Sequence, residues 1–382
     1  MRGIADTIAR LSSAAVRSEY RPTGRSAHLA SLEDFGSNPG NLAAYSYVPA
    51  TLSGHAPLIV VLHGCTQTAS GYDTGSGWST LADECGFVLL FPEQQRVNNP
   101  NGCFNWFEPG DTRRGVGEAL SIRQMIAAVE ARFDVDPERI FITGLSAGGA
   151  MTSTMLATYP EVFAGGAIIA GLPHGVASGV VEAFDRMRGH ALPSEKALVA
   201  RVCEASSHTG PWPTVAVWHG SADPTVSVAN AEAIAQQWGS LHLVGGEPNR
   251  THSVAGASHS EWLDPDGRVV LERFIIAGMG HAVPLQTTGP EACGSIAPYM
   301  VDVGISSTRR IAQSWGIIAV PKVRPADADA SGNENIAAHL PVERTATRTL
   351  HGIRMDTGDR SSRASGVTKV IEDALRAAGL MK

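Results

Sequence analysis

The chain has 382 residues, 43% of them hydrophobic and 18% charged, and a formal net charge of −7. That length holds one large α/β domain with extras or two ordinary ones, and the composition suits a sizeable buried core. The acidic balance and the lack of a Lys/Arg block argue against nucleic acid or an anionic membrane as main partner, and no apolar run reaches transmembrane length.

Met1 to Arg10 has no continuous apolar stretch, being interrupted by Asp6 and Arg10, so no secretory signal is expected and the chain reads on this ground as cytoplasmic. Residues 1–40 read as a short polar helix and an irregular arm, followed by a core domain over 41–319. Asn41 to Pro49 suggests an early strand. Pro57 to Gly64 is a continuous apolar run ending in glycine, as expected for a strand buried on both faces of a parallel sheet. Trp78 to Cys85 suits a helix and Phe87 to Pro92 a second buried strand.

A loop rich in Asn, Gly and Pro spans 98–117. In the next segment Ile122, Met125, Ile126, Val129 and Phe133 fall at i, i+3, i+4, i+7 and i+11, which predicts an amphipathic helix ending at Asp136-Pro137. Arg139 to Leu145 then predicts a strand, Gly165 to Gly171 another, and residues 172–213 a helical insertion. Thr214 to Gly220 reads as a buried strand, and Ala231, Ile234, Ala235 and Trp238 mark a helix. Residues 251–264 and 268–277 predict a hairpin turned at Asp264-Pro265-Asp266-Gly267, and Asp302 to Trp315 a closing helix.

Such alternation predicts an α/β fold, a mostly parallel sheet covered by helices on both faces. Residues 320–365 lose all periodicity and read as a flexible linker. Residues 366–382 predict a terminal amphipathic helix with Val367, Val370, Ile371 and Leu375 on one face.

The chemistry centres on Gly144-Leu145-Ser146-Ala147-Gly148, a G-x-S-x-G between a predicted strand and a predicted helix. That order suits a nucleophile elbow, in which a strained turn exposes a serine at a helix N-terminus. With 41 glycines in the chain the bare pattern is weak, so its strand–turn–helix context carries the reading. A serine hydroxyl needs a base, and the base an orienting acid. In the α/β-hydrolase order of Ser, acid, His, Asp223 follows the strand 214–219 and His281 the strand 268–277. Asp185, Asp264 and Asp266 compete as the acid, and His252 and His259 as the base. The first lies in the insertion, the next two in a hairpin tip, and both histidines precede the last core strand.

Backbone N–H groups of Ala147 and Cys65 are the expected oxyanion donors, the second because it follows the strand ending at His63. His63 and His219 each precede a glycine at a strand end and read as loop braces. Trp106 reads either as a flat wall for substrate or as an aromatic packed under its own loop. The other tryptophans read as core or rim. Five cysteines without C-x-x-C spacing predict no zinc site. Cys65 and Cys103 fall in the two loops nearest the site, so a bridge between them is open. A Cys203–Cys293 bridge is open too, and Cys85 reads as a buried thiol.

Leu62-His63-Gly64-Cys65-Thr66-Gln67, Phe91-Pro92-Glu93-Gln94, Cys103-Phe104-Asn105-Trp106-Phe107 and Arg114-Gly115-Val116-Gly117-Glu118 resemble the blocks of the polyhydroxybutyrate depolymerase family of esterases. So do Gly144 to Met151 and Gly278 to Leu285, in the family's order over roughly residues 40 to 316. The resemblance implies an α/β-hydrolase fold, a Ser146–Asp223–His281 triad and carboxylic ester hydrolysis without metal or cofactor. It also implies a Cys65–Cys103 bridge and a Trp106 that lines the substrate crevice. The expected partner is an ester or polyester substrate, first a hydroxyalkanoate polyester or oligoester. Feruloyl and acetylxylan esterases belong to the same circle and form the alternative, a peptidase of the same fold being a poor third. Many members act in the extracellular region. A reading from another class is a non-catalytic polymer- or granule-binding protein built on a hydrolase scaffold.

Overall fold

The computed structural model describes residues 28–318 apart from 51 and 53. The predicted polar helix at the N-terminus, the linker 320–365 and the helix 366–382 lie outside the described residues.

Twelve strands are described: β1 (Ala30–Ser31), β2 (Ala43–Tyr47), β3 (Ala56–Leu62), β4 (Val88–Glu93), β5 (Val135–Leu145), β6 (Gly165–Ile169), β7 (Thr214–Gly220), β8 (Arg250–Val254), β9 (Ala257–Leu263), β10 (Val269–Ile276), β11 (Val283–Leu285) and β12 (Met300–Asp302). The first ten form one sheet in the order β1-β2-β4-β3-β5-β6-β7-β10-β9-β8. From β4 to β10 the neighbours run parallel, and antiparallel strands finish both edges.

The central strands explain their own sequences. In β3, Leu58, Val60 and Leu62 enter one buried cluster while Ile59 and Val61 enter another on the opposite face. Side chains alternate across a strand, so a sheet covered on both sides needs an unbroken apolar run. The first cluster meets α4 (Gly117–Arg132) through Ile122, Met125, Ile126 and Val129, α5 (Ala147–Thr158) through Met151, Met155 and Leu156, and α8 (Ala229–Leu241) through Ile234 and Trp238. The second meets α1 (Ala69–Ser76) and α2 (Trp78–Cys85) through Tyr72, Trp78 and Leu81, and α9 (Ser307–Ser314) through Ile311. Each large side chain buried this way stabilises the fold by about 1.5–3 kcal/mol. A short helix α3 (Pro109–Thr112) and the pair α6 (Val180–Met187) and α7 (Glu195–Ala205) complete the helices named here.

Several boundaries differ from the sequence expectation. The sheet already takes up the chain at Ala30–Ser31, ahead of residue 41, because β1 pairs with β2 and Leu32 is buried. Strand β5 begins at Val135, through Asp136-Pro137, because the ladder with β3 shifts register there and tolerates the proline. Residues 251–264 make two strands, turned at Ala255-Gly256, where both residues have positive φ. Residues 300–302 pair with β11, so the closing helix starts only at Ser307, its N-cap Ser306 accepting from the Arg309 N–H. No helix among the described residues is long and apolar enough to cross a membrane.

Candidate active site

Strand β5 delivers the chain to Ser146, which has φ 58° and ψ −116°, and α5 starts at the next residue. A non-glycine residue there costs on the order of 1–3 kcal/mol and persists only when its surroundings hold it. They do so here. The Ser146 N–H donates to Ile169 O at 2.9 Å and its carbonyl accepts from the Ala150 N–H at 2.8 Å. The flanking glycines are steric requirements: a Cβ on Gly148 would meet His63 O and Leu62 O at 2.5 Å. The turn therefore seats the start of α5 against the end of β3, and Ser146 is 8% exposed at that junction.

Asp223 and His281 come from loops after β7 and β10. Those loops interlock. The Ala222 N–H donates to Met279 O at 3.0 Å, and the Gly278 N–H to Ser221 Oγ at 2.9 Å. Gly220 has to be glycine, since any Cβ would sit 2.2 Å from Met279 O. The result is an Asp223 Oδ2 to His281 Nδ1 distance of 2.6 Å, within reach of a strong charge-assisted hydrogen bond. The other oxygen, Oδ1, accepts from the N–H groups of Thr225 and Val226 at 2.8 and 2.9 Å. Burial by itself pushes this carboxyl up. Hydrogen bonds from His219 and His281, the charge of His281 and the Val226 N–H outweigh it and hold the group well below the usual carboxylate range. With Oδ1 occupied by backbone donors, Oδ2 is left for the imidazole.

His63 and His219 are both buried and brace loops, as their strand-end positions led one to expect. His63 Nε2 accepts from the Gln94 N–H at 3.1 Å, so its proton is on Nδ1, which donates to Gly64 O at 2.7 Å. Burial lowers its pKa to about 4, against a smaller opposing effect of the Gly64 hydrogen bond, so the ring is neutral. His219 Nε2 donates to Val226 O at 2.9 Å and lies 3.5 Å from Asp223 Oδ2. Its approach to the carboxylate was not legible in the sequence.

Around Cys65 the chain is tied on every side. Gly64 donates to Gln67 Oε1 at 2.9 Å, Thr66 donates to Asn101 O at 2.7 Å, and Cys65 is disulfide-bonded to Cys103. Among the described residues neither the Cys65 N–H nor the Ala147 N–H has a hydrogen-bond acceptor. Two rigidly held N–H groups without an internal partner, one of them at a helix N-terminus, are what binding a developing oxyanion requires.

Residues 42–257 match the family model described as Esterase PHB depolymerase. The chain belongs to this family. It is 43% identical over 293 residues to poly(3-hydroxyalkanoate) depolymerase C of Paucimonas lemoignei, covering 76% of this chain and 70% of that one. Feruloyl esterase B of Talaromyces stipitatus is 31% identical over 271 residues, covering 69% and 74%. Among solved structures, acetyl xylan esterase from Aspergillus awamori aligns with a TM-score of 0.65 at 24% identity, covering 76% of this chain and 99% of that one, which establishes the α/β-hydrolase fold. The PHB depolymerase-family chain is a carboxylic ester hydrolase of the serine hydrolase type.

In this esterase the insertion after β6 folds as α6 and α7 and closes over the start of α5. Leu172, Val176, Ala183 and Leu198 share a buried cluster with Trp106, Ala147 and Ala150. Trp106 is 7% exposed, its ring edge-on to Phe107 at 5.4 Å. It packs beside the helix that follows Ser146 more than it presents a broad face to solvent. The sequence reading missed Tyr299, which has φ 64° and an exposed ring 6.2 Å from the His281 ring. No motif marks it; only the return of the 298–300 segment beside Gln67, whose Nε2 donates to Pro298 O at 3.3 Å, brings it there.

The rival residues go elsewhere. Asp264 and Asp266 hold Arg268 in the β9–β10 turn, Asp185 sits on α6, and His252 and His259 contact each other on β8 and β9. The Cys203–Cys293 bridge is absent: both thiols are free, Cys203 exposed and Cys293 buried, because one ends up on α7 and the other beside α1. Cys85 is only partly buried, since its position at the C-terminal end of α2 leaves one side open.

Two expected results arise here. The Cys65–Cys103 bridge closes a 38-residue separation, so Cys65→Ser/Cys103→Ser should lose about 2–4 kcal/mol in urea unfolding and lower kcat for p-nitrophenyl butyrate, because the Cys65 N–H is no longer fixed. The second concerns His174, whose N–H donates to Gln237 Oε1 at 3.0 Å and whose carbonyl accepts from Gln237 Nε2 at 3.1 Å, fastening the insertion to α8. Burial, with a smaller push from Arg201, lowers the His174 pKa to about 4 from 6.5. The unfolded chain then binds a proton between these values that the native chain refuses, so stability is complete above about pH 6.5 and lost as pH falls toward 4. In His174→Gln the fall in stability between pH 6.5 and pH 4 should be smaller by on the order of 2 kcal/mol, measured as unfolding midpoints at each pH.

Proposed function

We propose that the chain hydrolyses hydroxyalkanoate polyester or oligoester through an acyl-enzyme formed on Ser146. His281 accepts the Ser146 proton as Oγ attacks the ester carbonyl, and Asp223 holds the imidazole with its proton on Nδ1. The N–H groups of Cys65 and Ala147 receive the oxyanion, each worth roughly 10²–10³ in rate. His281 then gives its proton to the leaving alkoxide. Water repeats the sequence on the acyl-enzyme and restores Ser146. The route draws on no metal or cofactor.

The observation that carries this reading is the pairing of a strained Ser146 at the head of α5 with an Asp223–His281 contact of 2.6 Å. For the substrate, the support is the 43% identity to a poly(3-hydroxyalkanoate) depolymerase, against 31% to a feruloyl esterase. Trp106, which shares a buried cluster with Ala147, is the proposed substrate wall beside Ser146. The Cys65–Cys103 disulfide favours action in an oxidising compartment over the cytosol.

The experiment is clearing of an amorphous polyhydroxybutyrate suspension, with methyl ferulate hydrolysis measured in parallel. Clearing by the wild-type chain but not by Ser146→Ala supports the polyester reading. A suspension that stays turbid while methyl ferulate is cleaved replaces it with a plant-polysaccharide esterase.

A further inference from the structure

The three outermost strands carry a side-chain cluster for which ester hydrolysis has no use. His252 on β8 pairs across the ladder with His259 on β9, and Glu261 on β9 pairs with Glu272 on β10. His259 and Glu261 are two residues apart on one strand and so share a face. His259 is buried, Glu261 partly buried and His252 exposed, so the group reaches from the sheet interior to solvent at the edge strand.

The orientation of His259 is over-determined. Its ring stacks on Phe274 at 3.8 Å between centroids and 12° between planes, and Phe274 stacks in turn on Trp218 at 3.8 Å. Its Nε2 lies 2.9 Å from Glu272 Oε2. A carboxylate oxygen accepts, so the proton is on Nε2 and Nδ1 keeps its lone pair as an acceptor. That lone pair faces His252 Nε2 at 3.2 Å. Two nitrogens each bound at 2.0–2.1 Å to a tetrahedral ion stand about 3.3 Å apart. The imidazoles are therefore already at ligand spacing. One ligand atom from each of His252, His259 and Glu261 lies within 4.8 Å of the other two. Glu261 Oε1 stands 3.9 Å from His259 Nε2 and its other oxygen 3.6 Å from the exposed Arg250 guanidinium, a weak contact, so its side chain has to rotate toward the Nδ1 side to become a ligand.

We propose that His252, His259 and Glu261 bind a divalent transition-metal ion of the zinc type, with Glu272 orienting His259. Two imidazoles and one carboxylate select zinc, nickel or copper over calcium or magnesium, and water fills the fourth position. The Glu272–His259 contact is the carboxylate–histidine arrangement that fixes a ligand's tautomer and ring orientation. Without the ion, His252 Nε2–H donates to His259 Nδ1. On binding, His252 carries its proton on Nδ1, and its exposed ring turns so that both lone pairs converge on the metal. The ion then clips β8, which among the described residues has a neighbour on one side only, onto β9.

The test uses the full chain, stripped with EDTA and titrated with Zn²⁺ by calorimetry, together with His252→Gln and Glu272→Gln. His252 is exposed, so its replacement leaves the fold intact. The wild type should bind Zn²⁺ saturably, His252→Gln at least tenfold more weakly, and Glu272→Gln about 10–100-fold more weakly. Co²⁺ should give the intense visible absorption of a four-coordinate site in the wild type and not in His252→Gln. Zn²⁺ should also slow amide hydrogen exchange in residues 250–254 of the wild type alone. Equal Zn²⁺ affinity in wild type and His252→Gln overturns the proposal, as does a wild type that binds no Zn²⁺ at micromolar concentration.

Discussion

Ser146→Ala should lower kcat for p-nitrophenyl butyrate by about 10⁶-fold, leaving only the residual acceleration of the oxyanion donors and binding, about 10³–10⁴ over water. The fold should survive, because the bonds that hold the turn are made by the backbone: Ser146 N–H to Ile169 O, and Ala150 N–H to Ser146 O. Alanine at φ 58° carries the same strain as serine, so neither gain nor loss of stability follows from the backbone. The diagnostic result is thus loss of turnover with an unchanged unfolding midpoint. Retention of more than a few per cent of wild-type kcat would mean that another group is the nucleophile. Because the assay ester is small and soluble, this outcome is independent of whether the natural substrate is a polyester.

Asp223→Asn should cost about 10⁴-fold in kcat near neutral pH. The reason lies in how the carboxylate is held. One oxygen accepts from the N–H groups of Thr225 and Val226, and an asparagine must keep its carbonyl oxygen there, since an NH₂ group facing two N–H donors would be repelled. Its NH₂ group then faces His281 Nδ1. That donor requires a lone pair on Nδ1, which moves the imidazole proton to Nε2 and leaves no base for the serine. A kcat loss with an almost unchanged KM is the expected signature, read from initial rates across pH 6 to 10. Partial recovery at high pH is expected where hydroxide replaces the missing base. An equal loss in KM would point instead to a collapsed loop.

The chain order of the chemistry was legible in the residues themselves. A buried parallel strand shows as an unbroken apolar run, and a nucleophile turn needs small residues on both sides of its serine, so β3, β5 and Gly144 to Gly149 announce themselves locally. Gly148 is there because Leu62 O and His63 O pass 2.5 Å from where its Cβ would stand. The same logic singles out Asp223 and His281, each just past the end of a strand, and the structure places them 2.6 Å apart.

The tertiary structure decided what depends on partners far apart in sequence. The turn at Ala255-Gly256 splits one apparent strand in two, since an alternating stretch has the same local pattern whether or not it folds back. The choice of Cys103 over any other partner for Cys65 rests on loops that meet only when β3 and β4 lie side by side. His219 reaches Asp223, and His259 is held between His252 and Glu272, because strand registers place them so. Sequence alone determined which chemistry the strand ends carry, because those demands are met by neighbours in the chain. Register, loop crossing and burial decided which groups face one another, because those are properties of the packed sheet and are encoded in no single stretch of it.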